Sequence, residues 1–279
     1  LKIARESTQP LCIGGQMLIQ DEPTIQFEAG GRYSKGKTCS NHRDLDLAQR
    51  LKLLENMQEK PVDYNAWWYC CFPLSVVDQH GFPLPFFIKT DDVEYGLRIK
   101  PNVVLINGIG VWHMAFQKKY SPHLEYYIKR NELVVSAVHN NGAGVIRSIR
   151  KMILACGKAV LIGDSQAVGF ILRAYQDFLK GPDFFLSTDE EQFNNLLIRT
   201  KDDRAQKPIR SLLFDFVQMI PVLLQVILHY TDVRHAYINR QQELTSMKFW
   251  ENHLGLHHFE SHQQDQIDTI DKQTKYNKK

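Results

Sequence analysis

Three carboxylates fall within four residues at Asp91-Asp92-Val93-Glu94. Where a loop turns into a helix, a carboxylate is fixed by backbone N–H groups. There it can take a proton from a substrate hydroxyl while its neighbours grip the substrate. The same run also makes an ordinary helix start, with negative charge near the positive end of the helix dipole. A tryptophan pair, Trp67-Trp68, lies inside the aromatic stretch Tyr64-Asn65-Ala66-Trp67-Trp68-Tyr69. Read as a strand, that stretch sends adjacent side chains to opposite faces, so one indole fills the core and the other lies open. An open indole is a flat platform for the CH face of a sugar ring, and core packing is the alternative. Sugars are bound by such stacking together with carboxylate and amide hydrogen bonds. His113 ends the apolar run Val111-Trp112. It is either a hydrogen-bonded structural residue or, if carboxylates converge on it, a ligand for Mn²⁺.

Three weaker patterns read as structural. Asp44-Leu45-Asp46 is a DxD sequence, but it is expected to open an amphipathic helix carrying Leu47, Leu51, Leu54 and Met57. His253, His257, His258 and His262 include pairs at the helical i, i+4 spacing of a metal site. Gly255 weakens that helix, and no carboxylate partner is evident. Gly142 to Gly144 is too short for a phosphate-binding loop.

The elements that position these residues follow from periodicity. Leu11–Ile19 is an apolar run expected to be a buried strand, with Gly14-Gly15 marking a close backbone approach. Alternation predicts a second strand over Thr24–Ala29. Tyr64–Phe72 reads as a strand ended by Pro73, and Val103–Ile106 and Ile109–Trp112 as two more. Asp91-Asp92 are expected to cap a short helix bearing Val93 and Leu97. From Ser121 the pattern turns helical, with a break near Gly163-Asp164-Ser165. Ser187 and Glu190 stand at capping-box spacing. A helix over 208–230 is expected to kink at Pro221.

Composition narrows the classes. The 279 residues are 43% hydrophobic and 23% charged, which excludes disorder over most of the chain. A net charge of +3 gives no electrostatic case for nucleic acid, and none is expected as a partner. Five cysteines without a CxxC pair argue against a disulfide framework or structural zinc and fit a reducing compartment. No uncharged apolar run reaches the roughly 18 residues of a spanning helix. The chain opens on Leu1 without a signal pattern and reads as a piece of something longer.

Gly14-Gly15-Gln16-Met17-Leu18, Asp63 to Trp68, Pro83 to Arg98, Trp112-His113-Met114 and Tyr126 to Asn131 occur in this order. This series resembles the family 2 glycosyltransferases that polymerise galactofuranose, over roughly residues 10 to 140. The resemblance implies the C-terminal part of a GT-A type α/β fold over residues 1–120. A mainly helical domain over 121–262 and a polar tail over 263–279 follow. It implies an inverting transferase with a UDP-sugar donor such as UDP-galactofuranose, a glycan or lipid-linked acceptor, and Mn²⁺ or Mg²⁺. Asp91 would be the catalytic base, His113 a metal ligand, and Trp67, Trp68, Asp92 and Glu94 acceptor-binding residues. Thr90 stands where relatives commonly carry Trp.

In that family the uridine-binding strands and the metal-binding DxD precede the Gly-Gly strand. The chain is therefore expected to lack the donor pocket, to be inactive alone, and to leave the Leu11–Ile19 strand with an exposed sheet edge. The expected location is cytoplasmic, at the inner face of the plasma membrane, with peripheral membrane association and homo-oligomer formation through the helical half. A non-catalytic carbohydrate-binding or assembly subunit is the alternative.

Overall fold

The computed structural model describes residues 11–115, 121–139, 144–199 and 217–255. The His257, His258 and His262 positions, the polar tail, Gly142 and the first part of the expected 208–230 helix lie outside the described residues.

The apolar run Leu11–Ile19 forms β1, and eight of its nine residues are buried. It takes antiparallel β2 (Glu22–Ala29) along Gln16–Ile19. Along Ile13 and Gly14, the short antiparallel β6 (Cys70–Cys71) continues the same side. The other side is covered by parallel β7 (Asn102–His113). β1 is thus the centre of a mixed sheet, and the expected exposed edge is not found. β2 carries the two-residue β5 (Leu45–Asp46) on its outer side, while β3 (Gly31–Ser34) and β4 (Lys37–Ser40) form a separate hairpin.

The glycine pair of β1 does what its position implied. A Cβ on Gly14 would stand 2.5 Å from the Asn65 amide, and one on Gly15 would stand 2.8 Å from the Tyr69 ring.

Several expectations about local structure are corrected. The stretch over 64–72 is mostly irregular, with a turn at Trp67-Trp68 and only Cys70–Cys71 in a strand. The two strands predicted over 103–112 are one strand with a bulge. Leu105 pairs with Gly14 and Gly110 with Gln16, so residues 106–109 loop out, with Gly108 at φ +87°. Gln16 holds that bulge through Asn107 Oδ1 at 3.0 Å and the Gly108 N–H at 3.3 Å. Asp44-Leu45-Asp46 enters β5 rather than a helix. The helix that follows, α1 (Arg50–Asn56), exposes Leu51 and Leu54, as does Met57 just after it, and buries Asn56 instead. Asn56 accepts from Gln26 at 2.7 Å and donates to Asn107 at 3.0 Å, so buried amides, not leucines, seat this helix. Finally, the carboxylate helix begins on Asp91 itself, so Asp91 and Asp92 sit in its first turn rather than capping it.

A short α2 (Ser75–His80) precedes that helix, α3 (Asp91–Ile99). The helical half comprises α4 (His123–His139), α5 (Gly144–Leu161), α6 (Ser165–Leu179), α7 (Asp183–Ser187), α8 (Glu190–Arg199), α9 (Met219–Leu244) and α10 (Met247–Leu254). The break between α5 and α6 falls where expected, with Asp164 accepting from the Ala167 N–H at 2.9 Å. Asp189, not Ser187, caps α8, taking the N–H groups of Glu191 and Gln192 at 3.0 Å. Pro221 lies in the first turn of α9, where its missing N–H costs nothing, and the helix runs on to Leu244.

α4, α5, α6 and α9 enclose a core that includes Val134, Met152, Ile171, Phe178, Val226 and Tyr237. Leu84 and Phe86, from the segment leading into α3, belong to that core. Packing therefore runs continuously from the sheet side into the helices.

Candidate active site

The first turn of α3 faces a pocket of about 220 Å³, lined by Glu28, Tyr64, Trp68, Lys89, Thr90 and Asp92 among others. Each comes from a different local device. Glu28 lies on β2, opposite Met17 of β1. Tyr64 is wedged between two glycines: a Cβ on Gly31 would stand 2.4 Å from its ring, and one on Gly96 would stand 2.3 Å from its Cβ. Only glycine lets the β3 start and α3 close on it. The Trp67-Trp68 turn is held by Asn65, whose Nδ2 donates to Ala66 O at 3.0 Å and to Tyr69 O at 2.8 Å.

Trp68 is the half-buried indole that lines the pocket. Trp67 is 37% exposed and packs edge-on against Tyr95 at 5.8 Å between centroids. The turn, not a strand's alternation, separates their surroundings.

Burial dominates the electrostatics. It pushes the Asp92 carboxyl up to about 7, helped by the charges of Asp91 and Glu28, while the Val93 N–H at 2.8 Å works the other way. Asp91 is also raised, by burial, against backbone hydrogen bonds and Lys89 that lower it. Glu28 is raised by burial, opposed by the Ser40 hydroxyl that donates to it and by Arg43. Burial, Glu28 and Asp92 raise the Tyr64 hydroxyl in turn. A carboxyl raised to about 7, in a small aromatic-walled pocket beside others that are also raised, suits proton transfer.

Glu94 is placed apart from this pocket. Its carboxylate is fully buried on the opposite side of α3. It accepts from Arg98 Nε at 3.0 Å, Arg98 Nη2 at 3.1 Å and Gln241 at 3.2 Å, and pairs with His139 at 3.1 Å. Burial alone would raise it, yet the His139 and Arg98 contacts hold it below the usual range. Its carboxylate ties α3 to α4 and α9.

His113 is half-exposed at the end of β7, opposite Ile19, with Nδ1 2.7 Å from Met114 O. Strand register puts it about 12 Å from Glu28, two strands and two residues away. Asp46 lies farther still, on β5 beyond β2. Among the described residues, no group of three or more His, Cys, Asp or Glu side chains is placed to hold a metal ion. The DxD of residues 44–46 does not converge on His113.

Sequence reasoning missed Glu28. Glu28 had one available signal: a carboxylate at an inward position of an alternating strand.

No family model matches the chain. The galactofuranosyltransferase GlfT2 of Mycobacterium tuberculosis (strain ATCC 25618 / H37Rv) is 36% identical to it over 207 residues, 67% of this chain. This chain resembles a galactofuranosyltransferase. The GlfT2 of Mycolicibacterium smegmatis (strain ATCC 700084 / mc(2)155) matches at 34% identity over 208 residues, again 67% of the chain. The matches take in 32% and 31% of those proteins, so the chain spans about a third of the length of the curated relatives it matches.

Proposed function

We propose that the Asp91-Asp92 pocket is the acceptor side of an inverting, GT-A type galactofuranosyltransferase. The whole enzyme would move galactofuranose from UDP-galactofuranose onto a growing glycan. The observation that carries this is the pocket itself, where a carboxyl raised to about 7 stands beside an indole in a galactofuranosyltransferase-like chain. A carboxylate takes the proton of an acceptor hydroxyl as that oxygen attacks the anomeric carbon. The bond to the UDP leaving group breaks on the opposite face, inverting the centre, and the proton ends on the carboxyl.

The resemblance points to Asp91 as base, whereas Asp92 is the member of the pair that lines the pocket. On that ground we read Asp92 as the base, its pKa raised chiefly by burial, with the Asp91 charge adding to the rise. Trp68 would stack on the acceptor ring and Glu28 would hold a hydroxyl. Trp67, exposed and packed on Tyr95 outside the pocket lining, would touch only a longer acceptor. Glu94 serves as a positioning residue behind the pair.

Mn²⁺ or Mg²⁺ belongs to this reading as the Lewis acid that neutralises the departing diphosphate. His113 would be one ligand, with oxygen ligands supplied from outside the described residues. Residues 1–279 alone are expected to leave UDP and Mn²⁺ unbound, as calorimetry would read directly.

Attachment to the inner face of the plasma membrane, and self-association, are part of the same proposal. No helix of the described residues is long and apolar enough to cross a membrane. α5 exposes Ile146, Ile153 and Leu154 on a helix whose charged residues are all basic: Arg147, Arg150, Lys151 and Lys158. That combination suits an anionic lipid surface.

The deciding experiment compares Asp91→Asn and Asp92→Asn in the full-length enzyme. Loss of the base costs about 10²- to 10⁴-fold in turnover. The base variant should also lose the rise of kcat/KM with pH through about 7. Near-normal turnover in both variants refutes the proposal. Acceptor binding without any turnover in the wild type favours a carbohydrate-binding subunit instead.

A further inference from the structure

Two consecutive non-glycine residues, Lys89 at φ +68° and Thr90 at φ +70°, adopt the left-handed conformation immediately before Asp91. A Cβ makes that conformation unfavourable, and a β-branched Thr makes it an outlier. Thr90 makes no side-chain capping bond to the helix it precedes. Something outside the turn must hold it.

Asn131 on α4 supplies the hold. Its buried Nδ2 donates to both carbonyls of the turn's entry, Ile88 O at 2.9 Å and Lys89 O at 2.7 Å. Arg130 Nε donates to Asn131 Oδ1 at 3.0 Å, which fixes the amide's direction. A flipped amide would set oxygen against two carbonyls and NH₂ against a guanidinium. Arg130 is itself anchored, fully buried, on Glu190 of α8 at 2.7 Å. An ordered chain thus runs from Glu190 through Arg130 and Asn131 to the left-handed turn, and the next residues are the carboxylate pair.

We infer that Asn131 is a positioning residue: its two-carbonyl clamp holds the strained Lys89-Thr90 turn and so sets where Asp91 and Asp92 stand in the pocket. The inference rests on reading that pair as the acid–base site. Asparagine suits the clamp because it offers two donors on one nitrogen and an acceptor for Arg130. Aspartate lacks the donors.

The test has two arms. In the first, the cost of Asn131→Ala to kcat is measured in the full-length enzyme in two backgrounds, wild type and Thr90→Gly. Glycine adopts the left-handed conformation of position 90 without strain, so it takes over much of what the clamp does, Lys89 remaining as the one strained residue of the turn. The expected cost is ten- to a hundredfold in the wild-type background and severalfold or less beside Thr90→Gly. A residue that merely fills the core would cost the same in both.

The second arm needs no activity: the Asp92 carboxyl is titrated by ¹³C NMR in the wild type and in Asn131→Ala. Asp92 faces Asp91 and Lys89 on its own segment, Glu28 on β2, Tyr64 from the preceding loop and Cys70 on β6, with Glu132 of α4 across the pocket. A displaced turn opens it to water, so its midpoint should fall from about 7 toward the ordinary carboxylate range. Should Asn131→Ala not fold, Asn131→Ser, which keeps one donor, should give an intermediate fall. An unchanged Asp92 midpoint together with equal kinetic costs overturns the inference. An enzyme that transfers no galactofuranose, yet shows the midpoint shift, refutes the function and leaves the clamp standing.

Discussion

Glu94→Gln separates the two roles a carboxylate in this motif can have. The wild-type side chain is fully buried and takes two hydrogen bonds from Arg98 at 3.0 and 3.1 Å, with His139 and Gln241 sharing Oε1. Glutamine has the same shape but turns one acceptor into a donor, which then faces a donor of Arg98 or of the His139–Gln241 side. Arg98 keeps the carbonyls of His80 and Phe82 as partners, so the loss is partial rather than total. Breaking a buried pair costs about 3–5 kcal/mol, and the retained carbonyl bonds place this case near the lower end, about 3 kcal/mol. For a chain of this size that is a fall in Tm of roughly 6–12 °C.

The pH dependence has a definite sign. Glu94 has a folded pKa below its unfolded value. Its contribution is fully present above about pH 4.3, the unfolded value, and is lost as pH falls through the folded one. The gap between wild type and variant, measured by urea denaturation at several pH values, should therefore close in acid. A variant of unchanged stability with a raised KM for acceptor would refute this assignment and return Glu94 to the substrate.

Gly96→Ala should destabilise by about 1–2 kcal/mol despite alanine's better helix propensity, and thermal melts will show it. The new Cβ would lie 2.3 Å from Tyr64 Cβ, an atom that no rotamer change moves, so a raised Tm would contradict the packing. Trp68→Ala should weaken acceptor binding about tenfold, an aromatic contact's worth, while Trp67→Ala, outside the pocket lining and packed on Tyr95, should cost less. Equal effects of the two in a binding titration would dissolve the distinction. The Cys12 and Cys70 sulfurs lie 3.3 Å apart, so diamide should link them within one chain. Peptide mapping that finds both thiols free after treatment would count against that contact.

How far the site was legible depended on what held each part. Gly14-Gly15 and the Gly163-Asp164 break were readable because a single residue's geometry decides them. The acidic run was readable as a loop-to-helix junction, though not the left-handed turn that presents it, since nothing in Lys89-Thr90 favours that conformation. Glu28 joins Asp92 only because β2 pairs with β1, a contact between distant segments. Leu51, Leu54 and Met57 matched a helical period and still face outward. Gln26 and Asn56 bond each other beneath the helix, and the burial of amides left the apolar side no place inside. The tryptophan pair was recognised as different in exposure for the wrong reason: Asn65 folds a turn where aromatic composition suggested a strand.

The sheet's central strand imposes an order on synthesis. β1 is complete once residue 19 is made, and β2 can close on it within ten residues. Its parallel neighbour pairs Leu11 with Asn102 and Ile19 with His113, so that side stays uncovered until β7 leaves the ribosome. At about 5–20 residues per second, this leaves an apolar strand edge open for roughly 5–20 s. During that interval the nascent hairpin is a template for any other strand nearby. Folding of the carboxylate pocket is bound to the same clock, because Gly14 and Gly15 shape the tryptophan turn only when β1 is seated. A ribosome pausing before residue 113 would lengthen the exposure, and one pausing after it would not.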